Sequence, residues 1–302
     1  MPENGRIVVF GDIIDDVVAV PSGPIRTDTD TVSSIRFRPG GSAANTASWL
    51  GSVGAEVRFI GTVAADDVAR HSLELEASGV SVHLEPHATL PTGAIVVIVD
   101  GETRTMLTER GANAVLDPDL VTDELLSTAS VLHLTGHTLF GMAEPSRFTA
   151  LIARARAAGV EVCVDPGSAG YIADFGVDAA LGYITGATII VPNLEEGRAL
   201  TGLVDPIAVA AALAELFPLV ALTLDASGVV VARSGEQPVL IEAVPTSIVD
   251  PTGAGDAFTA GFLAGLVSSG DALDAARAGV ALASRAVSSV GARPAHSPTS
   301  SS

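Results

Sequence analysis

Hydrophobic positions along this chain follow two rhythms. Short unbroken apolar runs, RIVVF (6–10), SVLHL (130–134), VEVCV (160–164), TIIV (188–191), LVALTL (219–224) and VVVA (229–232), have the length and β-branched content of strands buried on both faces. From Ser130 onward they alternate with helical stretches such as PSRFTALIARARAAG and PIAVAAALAELF, an order that predicts a mainly parallel sheet covered by helices. The other rhythm is alternation of apolar and polar side chains: VSSIRFR (32–38) and parts of AIVVIVD (94–100) and TRTMLT (103–108) predict half-exposed antiparallel strands, the last two a hairpin turning at Gly101-Glu102. Between the two kinds, SAANTASWLGSVGA (42–55) predicts a helix straight after Gly40-Gly41, and VRFIGTV a buried strand. The expected fold is one α/β domain over 1–302, a three-layer αβα sandwich. Lid strands at about 13–38 and 93–109 would cover the carboxyl edge of its sheet, where ligands bind in this class. The tail HSPTSSS (296–302) predicts disorder.

Composition narrows the partners. Hydrophobic residues make up 48% of the chain and aromatics 4%, so the core is built of Ala, Val, Leu and Ile. All 16 basic residues are Arg, and the formal charge of -19 argues against nucleic acid or anionic membranes as partners. Any nucleotide site must therefore work locally, through oriented amides and a divalent cation. The single Cys163 lies in an apolar run and reads as a core thiol. MPENGRIVVF lacks the pattern of a signal peptide, and no apolar run approaches a membrane span, so a cytoplasmic protein is expected.

One stretch is chemically odd. DPTGAGDAF (250–258) has glycines placed to present backbone N–H groups at a helix start, an anion hole made without side chains. It has no lysine of a P-loop and no third glycine of a dinucleotide fingerprint. Instead it carries Asp256. That carboxylate reads either as a favourable N-terminal charge on the helix dipole or as a base beside an anion hole, the pairing that phosphoryl transfer to a hydroxyl needs.

DPTGAGDAFTAGF strongly resembles the C-terminal signature of the ribokinase-like, or PfkB, family of carbohydrate and nucleoside kinases, and GGSAANTASWLGSVGAEVRFIGTV its N-terminal pattern. The resemblance extends over nearly the whole chain, including PNLEEGRALTG (192–202). It implies ATP as co-substrate, Mg2+, Asp256 as the base that takes the proton of a sugar hydroxymethyl group, and Gly253, Ala254 and Gly255 as the hole for the transferring phosphoryl. Asp16, Gly40, Gly41 and Asn45 match positions that hold sugar hydroxyls. Asn193 and Glu196 match the N-x-x-E pattern acting on magnesium, largely through water, and on phosphates. Thr223 and Gly228, with Gly255, match nucleotide-contacting positions, although Asp225 replaces the family's middle glycine. Asp250, Thr252, Ala286, Ser289 and Gly291 match a monovalent-cation site, and K+ dependence is left open because Ala295 stands where ribokinases often place a Ser.

The substrate is less defined. Ile14, Ser42 and Thr135 replace an Asn, a Lys and a Glu that ribokinases use, and an unpaired sugar hydroxyl costs about 1–3 kcal/mol, so ribose is not expected. RGANAVL (110–116) looks ribokinase-like but can equally serve the lid join. Arg110 stands near a position that binds the acid group in 2-keto-3-deoxygluconate kinases, although Arg104 and Arg110 also read as solvated lid residues. An adenosine-type nucleoside is the other alternative, with only Phe37 in the lid to stack on a base. His133 and His137 read as a strand end and the turn after it rather than a metal pair, with His137 near the pocket. From other classes, a catalytically silent sugar-binding regulator and an NAD-binding oxidoreductase are rivals. The exposed lid edge leaves room for a homodimer.

Overall fold

The computed structural model describes residues 5–295 apart from 101, 102, 141 and 143; the expected tail and the Gly101-Glu102 turn lie outside the described residues. The strands are β1 (Arg6–Phe10), β2 (Ile14–Pro21), β3 (Ser33–Gly40), β4 (Val57–Ala64), β5 (Ser81–His87), β6 (Gly93–Asp100), β7 (Thr103–Glu109), β8 (Ala129–Thr135), β9 (Glu161–Asp165), β10 (Ile189–Ile190), β11 (Leu219–Thr223), β12 (Val229–Ala232) and β13 (Val239–Ile241). Nine of them form one sheet in the order β13-β12-β11-β10-β9-β8-β1-β4-β5, parallel except where β12 turns back on β11 and β13 on β12.

The unbroken apolar runs are explained by burial on both faces. In β1, Ile7 and Val9 join a cluster under helices Ser42–Ser52, Ala254–Ser269 and Ala272–Val287, while Val8 and Phe10 face the opposite cluster under Ser146–Ala157 and Pro206–Ala214. Two helical layers thus enclose the sheet, the expected three-layer sandwich. Cys163 is wholly buried in β9, where loss of solvent pushes its thiol well up. Among the described residues, no single helix is long and apolar enough to cross a membrane.

The alternating segments form a second sheet, β3-β2-β6-β7. Its β6–β7 hairpin and β2–β3 pair are antiparallel, but β2 and β6 are parallel, which the alternation could not reveal. The chain leaves the large sheet twice at the same edge, after β1 and after β5, and both exits run the same way. Asn113 fastens this junction: its side chain accepts a hydrogen bond from Ile13 N (3.1 Å) and donates to Ile13 O (2.8 Å). The segment 110–116 therefore serves the join between sheets. One side of the small sheet sends Ile14, Asp16 and Ile95 into a cavity, while Ile35, Phe37, Met106 and Leu107 are exposed.

Candidate active site

The carboxyl ends of the large sheet's strands converge on a cavity of about 280 Å³. Asp12 follows β1, Asp165 ends β9, Asn193 follows β10 and Thr223 ends β11, and all four lie in or against this cavity. One wall is the start of helix Ala254–Ser269, with Asp256 in its first turn. Its N-cap Gly253 has φ 77°, and a Cβ there would lie 2.5 Å from the Ala292 carbonyl oxygen, so the turn requires glycine. At Gly255 a Cβ would meet nothing within 4 Å, and this residue lines the cavity. The amide end of the helix consequently faces open space, an arrangement suited to an anion.

The facing wall is helix Ser42–Ser52. Its N-cap, Gly41, has no side chain to cap the free amides, and Asp12 does so instead: one carboxylate oxygen accepts from Ser42 N (2.8 Å), the other from Ala43 N (3.2 Å) and from Thr135 Oγ1 (3.0 Å). That anchorage aims the next residues across the cavity. Ser42 Oγ donates to one oxygen of Asp256 (2.7 Å) and Asn45 Nδ2 to the other (2.9 Å). Burial nevertheless dominates and raises Asp256 to about 6, with the two hydrogen bonds opposing it. Asp16, whose carboxylate lies where a Gly40 side chain would be, is likewise raised to about 6 by burial, against the charge of Arg293.

A third group of acids lies on the side of the cavity formed by the ends of β9 and β10. Asn193 and Glu196 form a reciprocal capping box: Asn193 Oδ1 accepts from Glu196 N and Glu196 accepts from Asn193 N, both at 2.9 Å. Glu196 is also buried against the cavity, and burial raises it to about 7 despite those bonds. Asp165 is driven up by burial and by the neighbouring Glu196 and Asp256. Acids held this close, and disfavoured as anions, fit a hydrated divalent cation; Asp165, Glu196 and Asn193 would hold Mg2+ through its water shell.

The other predicted residues divide. Gly41, Asn45, Asp16, Asn193, Thr223, Glu196, Gly255 and Asp256 line the cavity together; Gly40, Arg110, Gly228, Gly253 and Ala254 are not in its lining. Gly228 supports the adjoining turn, since a Cβ there, at φ 104°, would stand 2.0 Å from Ile241 O. Asp225 is exposed and has φ 49°, a left-handed backbone that Asp tolerates better than most residues. Asp250 gathers its neighbours: it accepts from Thr252 N (3.0 Å), Thr252 Oγ1 (2.6 Å) and Gly291 N (3.1 Å), while Ser289 N donates to Ala286 O (3.1 Å). The proposed K+ positions are thus adjacent in space, beside the cavity rather than in it. Arg110 donates to the His137 carbonyl (2.8 Å) and lies 5.1 Å over the Tyr171 ring. His137 lines the cavity, whereas His133 is wholly buried and driven down to about 4, a neutral core residue.

Sequence reasoning missed Asp12, Asp165 and Arg293. The first two carry a readable signal, an acid just past the end of an apolar strand. Arg293 announces itself only as an arginine in GARPA, following the turn that closes over Gly253.

The pfkB family carbohydrate kinase profile matches residues 4–300. The chain belongs to the pfkB family of carbohydrate kinases. An uncharacterized sugar kinase of Archaeoglobus fulgidus is 28% identical over 246 residues, 81% of this chain and 96% of that one. The bifunctional protein HldE of Shewanella denitrificans is 30% identical over 278 residues, 84% of this chain but 54% of its own length, so the chain spans about half of that relative. Among solved structures, the adenosine kinase from Sinorhizobium meliloti superposes with a TM-score of 0.83 at 26% identity, covering 96% of each chain. Membership in the pfkB family makes the protein a sugar kinase with ATP as co-substrate, and removes the oxidoreductase as a reading.

Proposed function

We propose that this pfkB kinase phosphorylates a primary hydroxyl of a small uncharged sugar, with Asp256 as base and the amides of Gly253, Ala254 and Gly255 as the phosphoryl-receiving hole. The observation that carries this reading is the position of Asp256: a half-buried carboxylate at an open helix N-terminus, gripped by Ser42 and Asn45 from the opposite wall. As the sugar oxygen attacks the γ-phosphorus its proton passes to Asp256, the bond from phosphorus to the bridging oxygen breaks, and ADP leaves. Mg2+ supplies neutralisation of the phosphate charge when bound.

The lining supports an uncharged acceptor. Asp12, Asp16, Asp165, Glu196 and Asp256 face the cavity without an arginine among its lining residues, and Arg110 is engaged by His137 and Tyr171. A carboxylate or phosphate on the sugar would meet like charge. A nucleoside is supported less, because Phe37 is 79% exposed and not in the lining, although Ile14 and Ile95 offer an aliphatic surface. ADP release measured over neutral pentoses and hexoses, 2-keto-3-deoxygluconate, phosphosugars and nucleosides, each with and without K+, is expected to peak on a neutral sugar. A peak on an acidic sugar would refute the charge argument. The exposed apolar side chains of the small sheet support self-association through it, an idea that sedimentation as a monomer would remove.

Asp256 and Asp16 are both raised to about 6, and both act as anions in this reading. The value of kcat/KM should therefore fall as pH drops through about 6, more steeply than a single ionisation allows. A flat profile down to pH 5 would contradict it.

A further inference from the structure

Arg293 is almost fully buried, yet it is outside the cavity lining and none of the roles above uses it. Its Nε donates to Asn45 Oδ1 (3.0 Å) and its Nη2 to the Gly40 carbonyl (2.7 Å). A guanidinium only donates, so the oxygen of the Asn45 amide must face it, and the amide nitrogen must then face Asp256, where it lies 2.9 Å from Oδ2. The reverse orientation would set NH2 against guanidinium and oxygen against carboxylate. We propose that Arg293 is a positioning residue that orients the Asn45 amide and, through it, the carboxylate of Asp256. The inference rests on the reading of Asp256 as base.

The surroundings of Arg293 suit that task. Its segment is pinned to helix Ser42–Ser52 by Trp49 Nε1, which donates to Ala292 O (2.9 Å), and the same carbonyl closes against Gly253. One structural unit therefore sets both the helix start and the amide that holds the base. The charged groups around it are Glu74, 3.8 Å from Nη1, Asp15 and Asp16 of β2, and Asp256; Arg38 also acts on Asp16. The positive charge opposes the effect of burial at both Asp16 and Asp256.

The test compares wild type with Arg293→Gln, Arg293→Lys, Asn45→Ala and the Arg293→Gln/Asn45→Ala double variant, on the best sugar of the screen, with folding checked by melting. Arg293→Gln is expected to lower kcat roughly 10- to 100-fold, with sugar KM within about threefold, and to move the acid limb of kcat/KM up by about one pH unit. Arg293→Lys keeps the charge but not the planar fork, so it should restore the limb but not kcat. If Arg293 acts through Asn45, the double variant loses no more than the worse single one. A folded Arg293→Gln protein with unchanged kcat and limb, or fully additive losses, overturns the proposal; if Arg293→Gln does not fold, wild-type kcat in Arg293→Lys does so. Asp256→Asn runs in parallel: retained turnover there refutes the base assignment itself, whereas its loss beside an unaffected Arg293→Gln refutes only the positioning role.

Discussion

Asp256→Asn is expected to lower kcat by about 10³-fold while leaving the sugar dissociation constant within about threefold of wild type. The two side chains are nearly isosteric; the amide oxygen can still accept from Asn45 Nδ2 and the amide nitrogen can donate to Ser42 Oγ, so the cavity keeps its shape. Only the ability to take a proton is lost. The same substitution should stabilise the protein at neutral pH. Burial raises the folded-state value of Asp256 from 3.8 to about 6, so the folded chain binds this proton more tightly than the unfolded one, and stability falls as pH rises from about 4 to 6. Asp256→Asn should consequently melt above wild type at pH 8, by an amount corresponding to up to about 3 kcal/mol, with the advantage gone below pH 4. Greater stability with lost turnover distinguishes a base held against its own burial cost from a structural carboxylate, whose removal would lower the melting temperature. Calorimetric sugar binding, steady-state kinetics and thermal melts check the three parts.

The second large effect separates two glycines only two positions apart. Gly253→Ala forces a side chain into a left-handed turn and against the Ala292 carbonyl, 2.5 Å away. A loss of about 3 kcal/mol or more in stability should follow, together with loss of activity. Gly255→Ala meets no protein atom within 4 Å and should fold as wild type, yet its methyl group projects into the space assigned to the phosphoryl group. Its kcat should fall roughly 100-fold or more at unchanged melting temperature, the size expected for disturbing an oxyanion-type hole. Normal turnover in a folded Gly255→Ala protein would remove the anion hole from this loop.

Much of this was legible in the chain because the two sheets differ in burial. Strands covered on both faces read as unbroken apolar runs, whereas β3 and β7, whose described residues are mostly exposed, mix apolar with polar side chains, so β1 and β8 separate from them. The parallel pairing of β2 with β6 was not legible, because it depends on where the chain re-enters the large sheet and not on local pattern. β13 was also missed; its three residues are mostly exposed and too few to show a period. In the site, DPTGAGDAF and GGSAAN were readable as an anion hole with a base and as a helix start after a tight turn. Their union was not: the bonds from Ser42 and Asn45 to Asp256 span more than 200 residues. Asp225 illustrates the converse. It stands where the family has a glycine, and the backbone there is a left-handed residue with an exposed side chain.

The most direct test is a single-turnover quench of phosphoryl transfer, with ATP, Mg2+ and saturating sugar, followed from pH 5 to 8 in wild type and Asp256→Asn. The wild-type rate should rise with an apparent pKa near 6, and the variant should be about 10³-fold slower with that ionisation absent. A variant that transfers the phosphoryl group at the wild-type rate, with the same pH dependence, would contradict the account.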